Sequence, residues 1–537
     1  MTIAHELCNS GLDVMLLEAG GRNFSDRAQE PYRGDVVDRA HHGALEDYRH
    51  RRLGGTTAVW GGRCAPFTAI DFERREHVPY SGWPISLSDM DPFYARANQY
   101  CQAGVYDYQG ETALPAPEAI PHFNSDEVDS KGIWRFSPPT DFGRVYGPAV
   151  SESANVTIVL HANCLRLQSA SDGSSIDYVE AASAPSRTFR VRATRVVLAC
   201  GGLEAVRVML ASNDVHPNGI GNQYGLVGRF YISHMTGDAG EVEVPCGTRA
   251  LWDYQRDSDG VYCRRALTIS RKTQHREGLL NFRAIFSHPS AADPGHGSSV
   301  LSAMYLVKRL IARRIPPEYS RALSGMSPLE HIAAHSKNIL LGAPSLASFA
   351  LGWSHKRVFA SRKLPSVVLP SRSGIYTLHY DAEQRPNPES RVSLCETRDS
   401  FGVQRLKVDW RFTPEDIASV VRSCRLIGDE LQRTATGRLL FDPETAAERL
   451  AANSGVGSHH IGATRMAASP RDGVVDSDCR VHGVRNLYIA SSSTFPTSGF
   501  ANPTLTIVAF AVRIADHLRA PGSVDRIPIE VGAVDAC

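Results

Sequence analysis

Two adjacent histidines, His459 and His460, are the residues of this sequence whose side chains are best suited to proton transfer. They lie in the segment 458–466, where small residues let the backbone come close to a ligand. An imidazole gains or loses its proton near neutral pH, so either ring can act as a general base. Asn502 follows in a second segment of small residues. The two histidines could therefore serve acid–base chemistry at a bound ligand.

A buried helix is predicted to begin beside this amide. Asn502 suits the N-cap and Pro503 suits the first helical position. Two apolar stripes follow at helical spacing, Leu505, Val508, Val512 and Ala515 on one and Ile507, Ala511, Ile514 and Leu518 on the other. We expect the positive N-terminal end of this helix to point into the interior. The alternative is that both histidines are turn residues with satisfied hydrogen bonds and that Asn502 is only a cap.

Three strand ends carry residues suited to a dinucleotide. Residues 13–21 predict a buried parallel strand, near whose end Glu18 can accept hydrogen bonds from ribose hydroxyls, although a solvated glutamate remains the alternative. The strand predicted over 484–489 is followed by the hydroxyl donors 491–494, which suit phosphate or ribose oxygens. Residues 196–202 predict a further strand that enters a glycine turn and a helix. Between these strands, glycines bracket a loop from Arg51 to Gly62 that can run flat along a large planar ligand.

Taken together, these segments resemble the glucose-methanol-choline (GMC) family of flavoprotein oxidoreductases. When the sequence is aligned on Gly462 and Met466, the catalytic histidine of the family falls on His459. Its partner, a second histidine or an asparagine, falls on Asn502, which is more similar to the pyranose oxidase and sugar dehydrogenase branches. A one-residue deletion would assign the catalytic histidine to His460 instead. Further elements resemble the family at 81–86, in a helix over 89–103, at 196–212, at 225–229 with His234 after it, and at 380–394.

The resemblance implies FAD as the cofactor. In the pyranose oxidase branch a loop histidine can bond covalently to the flavin, and the matching residue here is Val59, which implies non-covalent FAD. Backbone groups near Cys164 would contact the adenine, whereas Cys200 is expected to serve packing. The implied cofactor contacts are Glu18, Gly20, Gly54, Gly55, Thr56, Trp60, Gly61, Gly62, Cys164, Ala199, Gly201, Ser492, Asn502, Pro503 and Thr504.

The implied fold is an α/β FAD-binding Rossmann-like domain interleaved with an α+β substrate domain built on an antiparallel sheet. We expect the FAD-binding domain over 1–240 and again over 453–522, the substrate domain over 241–452, and a tail over 523–537. Residues 292–368 match no family element and are expected to form a helical subdomain or lid that carries substrate choice.

The start of the chain lacks the first strand and the GxGxxG turn that a dinucleotide fold needs. The chain begins in a helix predicted over 2–10, which Gly11 ends. Without the central first strand, two sheet edges would lie about 10 Å apart. We expect about 15 to 25 upstream residues to restore these elements. The alternative is a natural protein that has dispensed with flavin.

Composition narrows the class of protein. The 537 residues are 42% hydrophobic and 21% charged, which is ordinary for a globular chain of two large domains. A net charge of +1 gives nucleic-acid binding no electrostatic support. No run of eighteen apolar residues predicts a membrane span. The eleven cysteines form no CxxC pair, and we expect them to be reduced in a cytoplasmic protein.

The function predicted from these features is FAD-dependent oxidation of a CH–OH group in a sugar, glycoside or polyol, with a histidine as the base. One alternative is a non-catalytic GMC-derived protein without flavin. Another is a GMC enzyme acting on a sterol or other hydrophobic alcohol, which the apolar run 339–341 keeps open. A metal hydrolase is disfavoured because His459, His460, His234 and His482 have no HExxH-type spacing, so no metal is expected. The electron acceptor and the oligomeric state are left open.

Overall fold

The computed structural model describes residues 1–114, 120, 122–245, 253–311, 327–369, 371, 374–442, 444–456, 458–520 and 530–533. Its α-helices are α1 Thr2–Glu6, α2 Asp26–Gln29, α3 Ala69–Phe72, α4 Leu87–Tyr100, α5 Gly110–Ala113, α6 Phe142–Val145, α7 Gly147–Glu152, α8 Gly202–Ala211, α9 Arg271–Glu277, α10 Ser299–Ile311, α11 Pro328–Leu341, α12 Ala343–Ser354, α13 Pro414–Arg433, α14 Ala446–Asn453 and α15 Thr504–Arg519. Its strands are β1 Val14–Glu18, β2 Asp35–Val36, β3 Arg63–Cys64, β4 Val128–Asp129, β5 Ile133–Phe136, β6 Val156–Leu160, β7 Asn163–Ser169, β8 Ile176–Ala184, β9 Arg187–Arg192, β10 Val196–Leu198, β11 Met235–Glu243, β12 Gln255–Arg256, β13 Tyr262–Arg265, β14 Leu267–Ile269, β15 Phe282–Ser287, β16 Ile375–Ala382, β17 Arg391–Arg398, β18 Gln404–Asp409, β19 Arg438–Leu440, β20 Gly455–Val456, β21 Leu487–Ile489 and β22 Glu530–Ala533.

Two parallel ribbons form the α/β part of the fold. The first ribbon pairs β1 with β6, so that Glu18 lies opposite Leu160, and the second pairs β10 with β21. In the described part of the chain neither ribbon is hydrogen-bonded to the other. The residues of β1 are all only partly buried, although most are apolar. After β10 the chain turns at Gly201, whose φ of +88° favours glycine, and enters α8.

A seven-stranded antiparallel sheet forms the second part of the fold. Its order is β19-β11-β16-β15-β14-β4, and β20 also pairs with β11. Three residues of this sheet are neighbours across adjacent strands. Thr236 lies opposite Asp381, and Asp381 lies opposite Arg283. Directly opposed residues in an antiparallel sheet share one face, so these side chains lie on the same side. The architecture therefore combines an α/β part, made of the two parallel ribbons, with a part built on an antiparallel sheet, while the domain boundaries stay a prediction.

The C-terminal helix α15 is buried, as its two apolar stripes require. Leu505, Val508, Val512 and Ala515 are each at most 4% exposed. The helix packs against α4 through a hydrogen bond of 2.9 Å between the hydroxyls of Tyr94 and Thr506. These contacts hold the start of α15 inside the molecule.

Three of the predicted helices begin or end at other residues in the structure, among them the helix expected over 89–103, which ends at Tyr100. The helix α15 begins at Thr504 with Pro503 in the N-cap position, so the predicted cap role of Asn502 is wrong. The helix expected over 89–103 begins two residues earlier, because the side chain of Ser86 accepts the N–H of Asp89 in a capping box. The first helix ends at Glu6 rather than at residue 10.

The segment 292–368 contains the helices α10, α11 and α12 in its described part. Helix α10 contacts both of the others. Within the described residues, no helix combines the length and the apolar composition that a membrane span requires.

Candidate active site

The structure brings His459 and Asn502 into direct contact. The amide Nδ2 of Asn502 lies 3.1 Å from Nε2 of His459. Asn502 immediately precedes the first turn of α15, and His459 precedes Ile461, which pairs with Ile232 beside the large sheet. The Oδ1 atom of Asn502 is buried and has no hydrogen-bond partner among the described residues. An unpartnered buried acceptor beside a histidine is a feature that a bound ligand would satisfy.

His234 continues this contact into a chain of hydrogen bonds. Its Nδ1 lies 2.6 Å from Nδ1 of His459, and its Nε2 lies 3.0 Å from the carbonyl oxygen of Ser498. A carbonyl only accepts, so Nε2 of a neutral His234 carries the proton and its Nδ1 accepts from His459. His459 then holds its proton on Nδ1, and its Nε2 lone pair faces Asn502. The tautomer of His459 thus follows from the position of the Ser498 carbonyl.

The electrostatic surroundings keep both rings neutral. Burial is the main cause that lowers the pKa of His459 well below its usual value, and the neighbouring His234 lowers it further. Asp381 opposes this shift, whereas Arg63 and Arg283 add to it. Burial also lowers the pKa of His234. Neutral imidazole is the form that accepts a proton, so this environment suits a base.

His460 occupies a different environment from His459. Its ring stacks on Tyr231 with the ring centroids 6.2 Å apart, and its carbonyl oxygen accepts the Ser492 hydroxyl at 2.7 Å. A side chain on Gly202 would collide with the same carbonyl, so the start of α8 lies against this residue. The structure therefore brings His459 and Asn502 together and places His460 in the wall beside them.

The hydroxyl cluster 491–494 is bonded internally. Besides the Ser492 contact, Ser493 lies 2.6 Å from the hydroxyls of both Ser491 and Thr464. Thr494 donates to the carbonyl of Ser491 at 2.9 Å. These bonds occupy the hydroxyls that the sequence suggested as phosphate or ribose donors, so a cofactor role for Ser492 stays a prediction.

Several of the predicted adenosine contacts meet at the ends of β1 and β7. The carboxylate of Glu18 accepts the N–H of Gly20 at 2.8 Å, and burial raises the pKa of Glu18. Arg51 lies nearby, where its guanidinium donates to the side chain of Asn163, the residue before Cys164. Sequence reasoning assigned no role to the Arg51 side chain, because its contact with Asn163 depends on strands far apart in the chain. Glu18 and Arg51 together offer an acceptor and a donor to a polar ligand.

The turn after β10 is open, as a cofactor site requires. Ala199 and Gly201 are exposed, and a side chain built on Gly201 would meet no atom within 4 Å. Helix α8 begins immediately afterwards, so its N-terminal N–H groups lie at this open turn. These two strand ends fit a dinucleotide. The acid Glu18 suits the ribose, and the glycine turn before α8 suits the pyrophosphate.

The glycine-rich loop presents one open side. Gly55–Ala58 form a 3₁₀ turn, and a side chain on Gly54 would strike the backbone of Gly143. Thr56 and Gly61 are exposed, whereas the indole of Trp60 is tied down by a hydrogen bond of 3.0 Å to the Thr140 carbonyl. Val59 is 50% exposed, and Gly62 is buried. The open side of the loop is able to cover a flat ligand.

Comparison with known proteins shows that the chain is similar to flavoprotein oxidoreductases. Residues 386–511 match the family profile described as GMC oxidoreductase. The fructose dehydrogenase large subunit of Gluconobacter japonicus is 23% identical over 96% of this chain and 95% of its own length. Paromamine 6'-oxidase of Streptomyces fradiae is 24% identical over 95% of this chain and 88% of its own length. A fungal aryl-alcohol oxidase structure shares the fold, with a TM-score of 0.52, 14% identity and 96% coverage of both chains.

These matches confirm the similarity to GMC oxidoreductases that the sequence predicted, and members of that family bind FAD. The roles of individual residues are untested by these matches.

Proposed function

We propose that this protein oxidises a CH–OH group of a sugar, glycoside or polyol, with FAD as the hydride acceptor and His459 as the base. The observation that carries the proposal is the hydrogen-bond chain from Asn502 through His459 and His234 to the Ser498 carbonyl. This chain of hydrogen bonds directs the Nε2 lone pair of neutral His459 toward the start of α15. Relatives named fructose dehydrogenase and paromamine 6'-oxidase support a polyhydroxylated substrate.

His459 acts on the substrate hydroxyl. Its Nε2 takes the hydroxyl proton, and the resulting alkoxide releases hydride far more readily than the alcohol does. Proton transfer to a positioned base contributes about 10² to 10⁴ in rate, or about 3 to 5 kcal/mol. Bound FAD supplies the hydride-accepting centre.

Asn502 and the helix that follows it stabilise negative charge. The amide N–H that contacts Nε2 of His459 in this structure would turn to the substrate oxygen when the substrate hydroxyl takes its place at that nitrogen, and it would then donate to the alkoxide. Helix α15 is sixteen residues long and begins at this point, so its positive end favours negative charge nearby.

The cofactor contacts proposed for this chain follow the open surfaces of the site. Glu18 would accept from the adenosine ribose, Gly201 and the start of α8 would approach the pyrophosphate, and Thr56 and Gly61 belong to the exposed side of the loop. Val59 has no nucleophilic atom, which supports non-covalent binding at this position.

The variants His459→Ala and His460→Ala test the assignment of the base. We expect His459→Ala to keep the absorbance of bound flavin and to slow anaerobic flavin reduction at least about a hundredfold. His460→Ala is the matched control, because its ring contacts Tyr231 rather than Asn502, and its effect should be much milder. The opposite ranking in rapid-mixing kinetics would move the base to His460.

A substrate panel tests the class of alcohol. Pyranosides, polyols, sterols and aryl alcohols would be compared with oxygen and with an artificial acceptor. We expect a sugar or polyol to have the highest kcat/KM. A preference for a sterol or aryl alcohol over every sugar would contradict the proposal.

A further inference from the structure

A group of basic side chains lies near the hydrogen-bond chain of the active site. Arg283 on β15 lies opposite Asp381 on β16, which in turn lies opposite Thr236 on β11. Two strand spacings separate Arg283 from Thr236, or about 10 Å. His234 immediately precedes β11, and Asp381 and Arg283 lie within electrostatic range of both His234 and His459. The Arg283 guanidinium also lies 5.4 Å from the ring of Phe500, two residues before Asn502.

A second sheet supplies the remaining members of this group. In the sheet β12-β13-β5-β3, Arg264 lies opposite Trp134, and Arg63 lies on the neighbouring strand β3. The guanidiniums of Arg63 and Arg283 both lie over the ring of Trp134. We call Arg63, Trp134, Arg264, Arg283 and Asp381 the arginine cluster.

Buried donors in this cluster have no acceptor. The Arg283 side chain is 2% exposed, and its Nε and Nη1 atoms have no hydrogen-bond partner among the described residues, while its third nitrogen donates to Asp381. The Nε of Arg264 and the Nε1 of Trp134 are also buried without a partner. All four of these atoms are donors, so the missing group is an acceptor. Leaving such groups unsatisfied is costly, because each has lost its hydration.

The charges of the cluster are also unbalanced. Asp381 is the carboxylate of the cluster. It lies 3.3 Å from Arg63 and forms a buried ion pair with Arg283. Asp253 lies within electrostatic range of Arg264 but is shared with Lys356. Three guanidiniums therefore exceed the nearby carboxylates even when Asp253 is counted. The Arg63 side chain is 30% exposed, so one edge of the cluster is accessible.

We propose that the arginine cluster binds a carboxylate of the substrate, so that the alcohol oxidised at His459 belongs to an acidic sugar or a polyhydroxy acid. This inference rests on the proposed function, because it assigns the substrate class of the same site. A carboxylate matches the planar fork of a guanidinium and accepts several N–H groups at once. The single negative charge of the ligand offsets the excess of positive charge.

Binding to the holoenzyme tests the cluster without turnover. Acetate would be titrated calorimetrically against acetamide, its uncharged counterpart of similar shape. We expect saturable binding of acetate that competes with the alcohol substrate, and at least tenfold weaker binding of acetamide. Equal or absent binding of the two would overturn the inference.

Flavin reduction with matched substrates tests the same point during turnover. The pairs are glucuronate with glucose, galacturonate with galactose, and gluconate with sorbitol, with the methyl ester of glucuronate as an uncharged acid derivative. We expect the acid of at least one pair to have a kcat/KM at least tenfold above that of its neutral partner. Neutral substrates that match or exceed every acid would overturn the inference and leave the proposed function standing.

Variants assign the effect to the cluster. Arg283→Gln and the more exposed Arg63→Met should each lower the acid-to-neutral ratio at least tenfold and weaken acetate binding. Arg265→Gln is the control, because Arg265 follows Arg264 but donates to the Gly110 carbonyl and the Gln255 side chain, and it should keep the wild-type ratio. If Arg283→Gln does not fold, the acid-to-neutral ratio and the acetate binding of Arg63→Met test the cluster instead. Acetate binding that depends on Arg63, without flavin reduction by any alcohol, would support the cluster and contradict the proposed function.

Discussion

The proton positions in the active site are decided by residues that take no part in the chemistry itself. The Ser498 carbonyl oxygen can only accept a hydrogen bond, so it fixes the proton of His234 on Nε2. This in turn fixes the proton of His459 on Nδ1 and leaves its Nε2 unprotonated. His234 is therefore a positioning residue. Its contact with His459 joins positions 225 residues apart, and the sequence showed His234 only as a landmark of the family.

Replacing His234 with phenylalanine should impair the proposed base while keeping an aromatic ring at this position. His459 would lose the acceptor for its Nδ1–H, and the other tautomer would become accessible. We expect flavin reduction to slow about fivefold, since a lost hydrogen bond costs about 1 kcal/mol. The pH dependence of reduction should also change, which a purely structural role would not cause.

His482→Phe serves as the control for this variant, because His482 bonds to the Ala467 carbonyl and does not contact His459. Rapid-mixing kinetics across a pH series would show the effect. Wild-type rates and an unchanged pH profile in His234→Phe would contradict the positioning role.

The pH dependence of flavin reduction follows from the lowered pKa of His459. An ordinary histidine titrates near pH 6.5, but burial and the neighbouring His234 lower this value. The neutral form of His459, which is the active form of the proposed base, therefore persists below pH 6.5. We expect the rate of reduction by a neutral alcohol to stay constant from about pH 8 to below pH 6.5. An acid limb centred at or above pH 6.5 would contradict this environment.

At the scale of elements, the buried neutral histidine His335 lies between α10 and α11. His335 lies 2.9 Å from the Ser302 hydroxyl and stacks on Tyr305 with centroids 4.5 Å apart. Burial, aided by the charge of His331, lowers the pKa of His335 to about 4. The folded pair thus binds fewer protons than the unfolded segment between about pH 6.5 and 4.

Acidification should consequently loosen these two helices. Their full stability is present above pH 6.5 and is lost as the pH falls from there toward 4. Hydrogen exchange, corrected for intrinsic rates, should show weaker protection of 299–311 and 328–341 near pH 5 than near pH 7.5. His335→Gln removes this titrating group and should reduce the pH effect. Equal protection at both pH values in the native protein would contradict the prediction.

Elements with strong local signals were predictable from the sequence, whereas their long-range contacts were not. The strand β10, its glycine turn and α8 follow from an apolar run, Gly201 and a helical pattern. The start of α4 was misplaced because the capping pair Ser86 and Asp89 was not recognised. Asn502 was expected to cap a helix, but its side chain contacts His459 instead. In that case a tertiary contact prevailed over a local preference.

The arginine cluster shows why the site was only partly predictable. Arg283 and Asp381 are neighbours through the register of β15 and β16, which lie 98 positions apart along the chain at this pair. Neither residue belongs to a motif, and a buried arginine has no local signature. The family resemblance found His459 and Asn502 because they lie in short segments rich in glycine and small residues.

At the scale of the molecule, the cofactor contacts proposed here come from both parallel ribbons. Glu18 ends a strand of the β1–β6 ribbon, and Gly201 follows a strand of the β10–β21 ribbon. These ribbons are not hydrogen-bonded to each other in the described part of the chain. A ligand that contacts both would bind the folded state and not the unfolded one, which couples cofactor binding to the stability of the whole chain.

FAD should therefore raise the free energy of unfolding of cofactor-free protein by about 2.7 kcal/mol at a concentration of 100 Kd. Thermal denaturation would show a higher midpoint with FAD, and riboflavin, which lacks the adenosine and pyrophosphate, should give a smaller shift. Glu18→Gln should weaken FAD about tenfold, since a hydrogen bond to a charged group contributes about 1.5 kcal/mol or more. Asp177→Asn is the control, because Asp177 pairs with Arg192 on the antiparallel sheet of β7, β8, β9 and β22. A midpoint that FAD does not move would contradict the proposed cofactor contacts and favour a GMC-derived chain without flavin.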